Sequence, residues 1–287
     1  NEEKIDFFNL DIRDSKNLLK LIDDVDSVIH LAAVVGEPLC KKIPDSAKQI
    51  NEFATKNLVN ICKKNNIKKF LFASTCSNYG SSSEIVDEIS PVKPLSLYSE
   101  CKVNSESYIL NKNDDNFNTC ILRFATAHGL SPRMRFDLLV QEFLRDALID
   151  KKISIFGQDF WRPLIHVDDM ANACISILNA PSKLISGQIF NVGSSRENYT
   201  KKQLAQIIQK YVPNTEIEII DSKIVLRTKE KVLSVVRDIS EISTIEMKED
   251  NFLQFTFSDK TYNVQIAEVS VAEIDALMST VNMPEEE

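Results

Sequence analysis

Through the first 190 residues, short apolar runs alternate with amphipathic stretches, and this alternation narrows the available folds more than any other feature. KIDFFNLDIRD, DSVIHLAAVVG, KKFLFASTCSNYG and NTCILRFATAHG are strand-like runs, each closing near a turn signal. Between them lie helix-like stretches such as SAKQINEFATKNLVNICKKNN and PLSLYSECKVNSESYILNK. Strands apolar on both faces, separated by helices, predict a parallel sheet covered by helices. Ligands of such sheets gather at the carboxyl ends of the strands, where these runs turn polar.

KISIFG and GQIFNVG read as later strands, and WRPLIHVDDMANACISIL as a strand end entering a helix with Asp168 or Asp169 near its N-terminus. YTKKQLAQIIQKYV is an amphipathic helix capped by Thr200. After about Val225 the texture changes. FLQFTF and TYNVQIAEV, joined by Ser258-Asp259-Lys260, read as a β-hairpin, SVAEIDALMSTV as a helix with a capping box from Ser270 to Glu273, and the final MPEEE as disordered.

No apolar run reaches the roughly 20 residues of a membrane span, and no secretory signal opens the chain. Six scattered cysteines lack metal or disulfide spacing and read as reduced thiols of a cytoplasmic protein. Three distant histidines predict no metal site. The net charge of −8 is concentrated at the end: from Asp238 onward twelve acidic residues face two lysines, leaving the first 237 residues near +2. Neither part carries a basic stripe, so nucleic acid is not an expected partner.

In LYSECK, Tyr98 and Lys102 stand one helical turn apart on one face. Tyr108 and Lys112 repeat the spacing, so spacing alone does not separate a reactive phenol from an ordinary helix aromatic with a lysine stem beside it. Context separates the two pairs. STCSNYG ends the third strand-like run some two dozen residues before Tyr98 and puts hydroxyls at a strand's carboxyl end.

FFNLDIRD, VIHLAA, LFASTCSNYG, LYSECK, LRFATAHG, RPLIHVDD and FNVGS, in that order, resemble the extended short-chain dehydrogenase/reductase family, in its nucleotide-sugar epimerase/dehydratase branch, over residues 4–222. The resemblance implies a Rossmann-like α/β fold, a parallel sheet with helices on both faces, its first βαβ portion absent and a smaller α+β part at the C-terminus. It divides the chain into a core at 1–222, with substrate-lobe pieces within 130–160 and 195–222, and an acidic segment at 223–287 that either completes that lobe or serves as an interaction appendage. It implies NAD as cofactor, with NADP open, a nucleotide-sugar substrate and a homodimer.

The chemistry so implied is oxidation of a sugar hydroxyl through a keto-sugar. A free phenol with a pKa near 10 is a weak base at neutral pH, and a nearby ammonium favours its ionised form. Tyr98 is thus expected as base/acid, Lys102 as its tuner and ribose holder, and Thr75 as the hydroxyl orienting the reacting oxygen. By the same resemblance Asp11 and Ile12 border the adenine, and Leu31, Ala32, Ala33, Ala73, Ser74 and Phe124 line the cofactor. Thr126 stands near the sugar. Arg162 is the diphosphate fork, with Arg133 and, beside it, Arg135 as further phosphate readers. Asp11 alternatively caps a helix, Thr75 and Ser74 alternatively serve a turn, and Arg162 alternatively pairs with Asp159 or Asp168. His166 is expected to pack rather than react.

Three departures qualify the resemblance. None of the six glycines forms GxGxxG, so the expectation is that about fifty residues of a glycine-rich unit precede Asn1. Cys76 and Ser77 stand where dehydratases of this branch carry an acidic pair, which argues against 4,6-dehydration. The segment after Ile224 departs from the family's closing pattern. A non-catalytic binding or scaffold protein on the same fold is the alternative reading.

Overall fold

A computed structural model describes residues 5–82 and 84–220, and beyond them the backbone of strands at 223–224, 237–238, 242–248, 252–257 and 261–265. The chain forms two compact units, Asn1–Glu142 with Trp161–Tyr199, and Phe143–Phe160 with Thr200–Glu287.

In the first unit Asp14 caps α1 (Ser15–Leu21) by accepting the Asn17 N–H at 3.2 Å. β1 (Ser27–His30) leads to α2 (Glu37–Lys42) and α3 (Pro44–Lys48), both opened by proline where a missing N–H costs nothing. α3 continues through a π-helical stretch, Gln49–Ala54, into α4 (Thr55–Lys64). Then come β2 (Lys69–Thr75), a 3-10 turn at Cys76–Tyr79, α5 (Leu97–Asn111), β3 (Asn118–Phe124) and β4 (Thr126–His128). α6 (Leu139–Ile149) and β5 (Lys152–Phe156) precede the return to the first unit as β6 (Trp161–His166), α7 (Val167–Asn179), α8 (Ser182–Ile185), β7 (Gln188–Val192) and β8 (Asn198–Thr200). α9 (Lys201–Tyr211) and β9 (Glu216–Ile220) belong to the second unit.

The main sheet has strand order β1-β2-β3-β7, every pair parallel. Its central strands are buried on both faces, as their unbroken apolar runs predict. Successive side chains of β2 alternate between two cores. Phe70 and Phe72 pack with Leu58, Val59 and Phe117, while Leu71 packs with Leu122, Ile165 and Cys174. Burying each of these large side chains stabilises the fold by roughly 1.5–3 kcal/mol. The expected α/β architecture with a covered parallel sheet is what forms.

KIDFFNLDIRD does not form a strand. Residues 5–11 are irregular, with Phe7 87% and Phe8 61% exposed. The run pairs with no described strand, β1 remaining the edge of the sheet, and an apolar run without a ladder partner does not hold an extended conformation.

In the second unit β5 pairs in parallel with β9, and Leu204, Ala205 and Ile208 of α9 are buried, as are Ile153, Ile155 and Ile220 of the two strands. Thr200 caps α9 as expected, in a full capping box with Gln203. Phe252–Phe257 pairs antiparallel with Thr261–Gln265, as the hairpin reading requires, and Ile242–Lys248 adds a third strand. The joining residues 258–260, the Ser270 capping box, the MPEEE end and the boundary expected at 222 lie outside the described residues. Among those described, no helix is long and apolar enough to cross a membrane.

Candidate active site

A capping box between Ser96 and Ser99 opens α5 and puts Tyr98 in its first turn and Lys102 in its second. Lys102 is 3% exposed, and its ammonium reaches the carboxyl end of β2, donating to the Ala73 carbonyl at 2.6 Å. It lies 4.4 Å from the centre of the Phe72 ring and 5.7 Å from that of Tyr98. Tyr98 is half-buried against Val34, Cys40 and Ala47. The loop holding Val34 is itself clamped: Asn51 accepts the Val34 N–H at 2.7 Å and donates to its carbonyl at 2.8 Å. Thr75 ends β2, half-buried, with its hydroxyl oxygen accepting the Ser77 N–H at 3.1 Å. The structure therefore brings Ala73, Thr75, Tyr98 and Lys102 to one end of the sheet.

The electrostatics differ from the sequence expectation. Burial pushes the Tyr98 phenol up to about 12, the Cys40 and Cys76 thiols add to the rise, and Arg135 opposes it. Lys102 lies 5.7 Å from the centre of the same ring. Its ammonium is turned to the Ala73 carbonyl, and burial pulls Lys102 itself down to about 8 against the Glu106 carboxylate. Proximity along a helix fixed which residues are neighbours, and burial decided the sign.

Ser74, expected at the cofactor, has its hydroxyl turned inward. It donates to Glu106 and accepts from the Asn78 amide at 3.0 Å. Asp11 closes on Arg13, accepting from its Nε at 2.9 Å and Nη2 at 2.6 Å, and this hydrogen bonding draws it down to about 2. The helix cap alternative for Asp11 fails, because Asp14 fills that place. Ile12 packs on the core beneath α4. At the end of β1, Leu31 and Ala32 are exposed and Ala33 is half-buried. Phe124 is buried at the end of β3, and Thr126 pairs with Leu164 across β4 and β6.

Arg133 and Arg162 are exposed, and among the described residues neither forms an ion pair, with Asp168 or otherwise. Arg162 lowers the Cys76 thiol, against burial that raises it more. Arg135, weighed beside Arg133 as a phosphate reader, is paired with Asp137 at 2.5 Å and is the guanidinium that acts on Tyr98. His166 caps α7, accepting the Asp168 N–H at 3.2 Å.

Sequence reading missed Cys40, Asn51, Glu106 and Arg123. Glu106 carried a signal, a carboxylate one turn beyond Lys102 on the same helix face, but Cys40 and Asn51 carried none. A cleft of about 640 Å³ lined by His128, His166, Asp169 and Glu197 lies apart from Thr75, Tyr98 and Lys102, none of which borders it.

A covered parallel sheet with helix-borne groups gathered at its strand ends defines a Rossmann-like α/β protein. Residues 1–193 match the NAD dependent epimerase/dehydratase family, and the chain belongs to it. It is 29% identical over 196 residues to the uncharacterized UDP-glucose epimerase YtcB of Bacillus subtilis, covering 67% of this chain and 60% of that protein. It is 31% identical over 201 residues to a putative UDP-glucose 4-epimerase of Methanocaldococcus jannaschii, covering 68% and 64%. The solved UDP-glucuronic acid 4-epimerase of Bacillus cereus, in complex with UDP-glucuronic acid and NAD, superposes with a TM-score of 0.65 at 28% identity, covering 72% and 66%. The chain thus spans under two thirds of the length of these relatives.

Proposed function

We propose that this chain acts in an NAD-dependent nucleotide-sugar epimerase or related oxidoreductase that works through a keto-sugar. The observation that carries the reading is Lys102 bound to the end of β2, with Tyr98 one turn before it and the Thr75 hydroxyl at the same strand end. The residues present fit the nicotinamide end of a dinucleotide: Ala32, Ala33 and Ala73 are too small to fill the strand ends, and the nearby cations suit a ribose and phosphates. When bound, NAD accepts and returns the hydride.

Tyr98 takes and returns the proton of the sugar hydroxyl. Pushed up to about 12, the phenol holds its proton at neutral pH and has one to give to a carbonyl under reduction, though as a weaker acid than a free phenol. Acting as a base requires further positive charge beside it, which Arg135 supplies in part and a nicotinamide, when bound, would add to. Thr75 orients the reacting oxygen, Arg162 and Arg133 hold the diphosphate, and Thr126 faces the sugar. Cys76 and Ser77 cannot replace two carboxyls, since burial keeps the Cys76 thiol protonated, so 4,6-dehydration is disfavoured.

Conversion of UDP-sugars by the complete protein, lost in Tyr98→Phe with nucleotide-sugar binding retained, is the expected result. Full turnover by Tyr98→Phe refutes the reading. The raised phenol also favours a second reading, a non-catalytic binding or scaffold protein that keeps the sheet but not the cofactor site. No calorimetric NAD(H) binding, with no conversion of any UDP-sugar, supports that one. A homodimer belongs to the proposal and is read by light scattering.

A further inference from the structure

We propose that Glu106 is a positioning residue for the Tyr98 site, fixing the carboxyl end of β2 from α5 and setting a negative charge behind the Lys102 ammonium; this rests on the functional reading above. Two successive turns of α5 grip two successive residues of β2. Lys102 donates to the Ala73 carbonyl at 2.6 Å, and the Glu106 carboxylate accepts from the Ser74 hydroxyl. The same carboxylate accepts the Asn78 amide at 2.7 Å, Arg123 Nη2 at 2.7 Å and Arg123 Nε at 3.1 Å. It therefore ties β2, the 3-10 turn, α5 and β3 together in a site closed to water. The end of β2 cannot slide along α5 without breaking both grips, and Thr75 is the next residue.

The charge around Lys102 is equally one-sided. Tyr98, Cys101 and Glu106 face it from its own helix, Cys40 from α2 and His30 from β1, while Arg123 on β3 faces Glu106. Burial raises the Cys40 and Cys101 thiols and lowers His30, so all three are neutral near pH 7. Glu106 is then the charged neighbour that opposes loss of the Lys102 proton.

The test separates grip from charge, using the complete protein with NAD and UDP-glucose. Ser74→Ala releases the grip and keeps the charge. It is expected to lower kcat about tenfold at unchanged KM, with Lys102 titrating as in the wild type. Glu106→Gln keeps the shape and removes the charge. It is expected to lower the Lys102 titration midpoint, followed by its 13Cε resonance and assigned with Lys102→Met, by about one pH unit, and to move the alkaline limb of kcat equally. Where Glu106→Gln fails to fold, Glu106→Gln/Arg123→Gln keeps the buried cluster neutral and serves in its place. An unmoved Lys102 midpoint, or wild-type kcat in Ser74→Ala, overturns the proposal. Absence of turnover in the wild type instead sinks the functional reading, and the Lys102 titration still decides the role of Glu106.

Discussion

Replacing Arg123 by leucine tests the buried cluster on which the site rests. Arg123 donates to Glu106 from Nε and Nη2, and from Nη1 to the Tyr79 hydroxyl at 2.9 Å and the Glu88 carbonyl at 3.4 Å. The side chains of the ion pair are 5% and 3% exposed, so solvent cannot screen the carboxylate once its partner is gone. Glu106 would keep only Ser74 and Asn78 as donors. Removing one partner of a buried pair costs about 3–5 kcal/mol. Because the chain has two units, a single unfolding free energy is not defined for it, and hydrogen exchange of the β3 amides isolates the loss. A loss of 3 kcal/mol corresponds to about 150-fold faster exchange there. The double variant Arg123→Leu/Glu106→Leu should recover roughly 2 kcal/mol of it, since an apolar pair leaves no uncompensated charge. Exchange less than tenfold faster in the single variant, or a double variant no better than the single, would refute this account.

Other consequences follow from the same structure. Burial holds His30 down to about 3, far below the ordinary histidine range. The unfolded chain therefore takes up this proton first; the stabilisation is full above about pH 6.5 and falls by roughly 1.4 kcal/mol per unit down to about 3. His30→Asn should flatten the pH dependence of the exchange protection of the β1 amides between about pH 6 and 4, and a wild-type His30 ring resonance titrating near 6.5 would contradict the assignment. Gly80 has φ +72°, and a Cβ there would lie 2.2 Å from the Lys93 carbonyl oxygen, so Gly80→Ala should speed hydrogen exchange at the Lys93 and Gly80 amides, with a local cost of about 1–3 kcal/mol or more. Burial pushes the Cys62 and Cys120 thiols up to about 12, so mass spectrometry should find neither alkylated by iodoacetamide at pH 8 before unfolding.

The central sheet was legible because β2 and β3 are buried on both faces, which leaves an unbroken apolar record in the sequence. KIDFFNLDIRD leaves the same record and forms no strand, because composition does not say whether a ladder partner exists. α5 was read as an amphipathic stretch, and a helix forms there, but its buried face is not the apolar one such a reading implies. Beside Cys101 and Ile109 that face holds Ser99, Lys102, Ser105 and Glu106, so its apolar periodicity is weak. The identities of Tyr98, Lys102 and Thr75 as neighbours were readable, since helix geometry and strand ends are local. The direction of the phenol's shift was not, because it depends first on burial of Tyr98 in the fold and then on thiols from two other segments.

That polar face has a mechanical meaning. Ser105 donates to the Asn51 carbonyl at 3.0 Å, and the Asn51 side chain clamps Val34 beyond β1, while Lys102 and Glu106 hold Ala73 and Ser74 at the end of β2. α5 is thus registered against two strand ends by directional bonds. Apolar packing tolerates small shifts with repacking, whereas a buried hydrogen bond displaced by an ångström is lost and leaves a desolvated group. The Asn51 carbonyl also accepts from the Thr55 hydroxyl, at the point where α3 runs into α4 through a π-helical stretch, a local departure frequent at functional sites. Buried polar groups on a helix that could have been apolar, a π-helical stretch and a clamped loop all converge on the half-buried Tyr98. Stability is given up there for a fixed geometry, which is the pattern expected where a reacting atom must be held still.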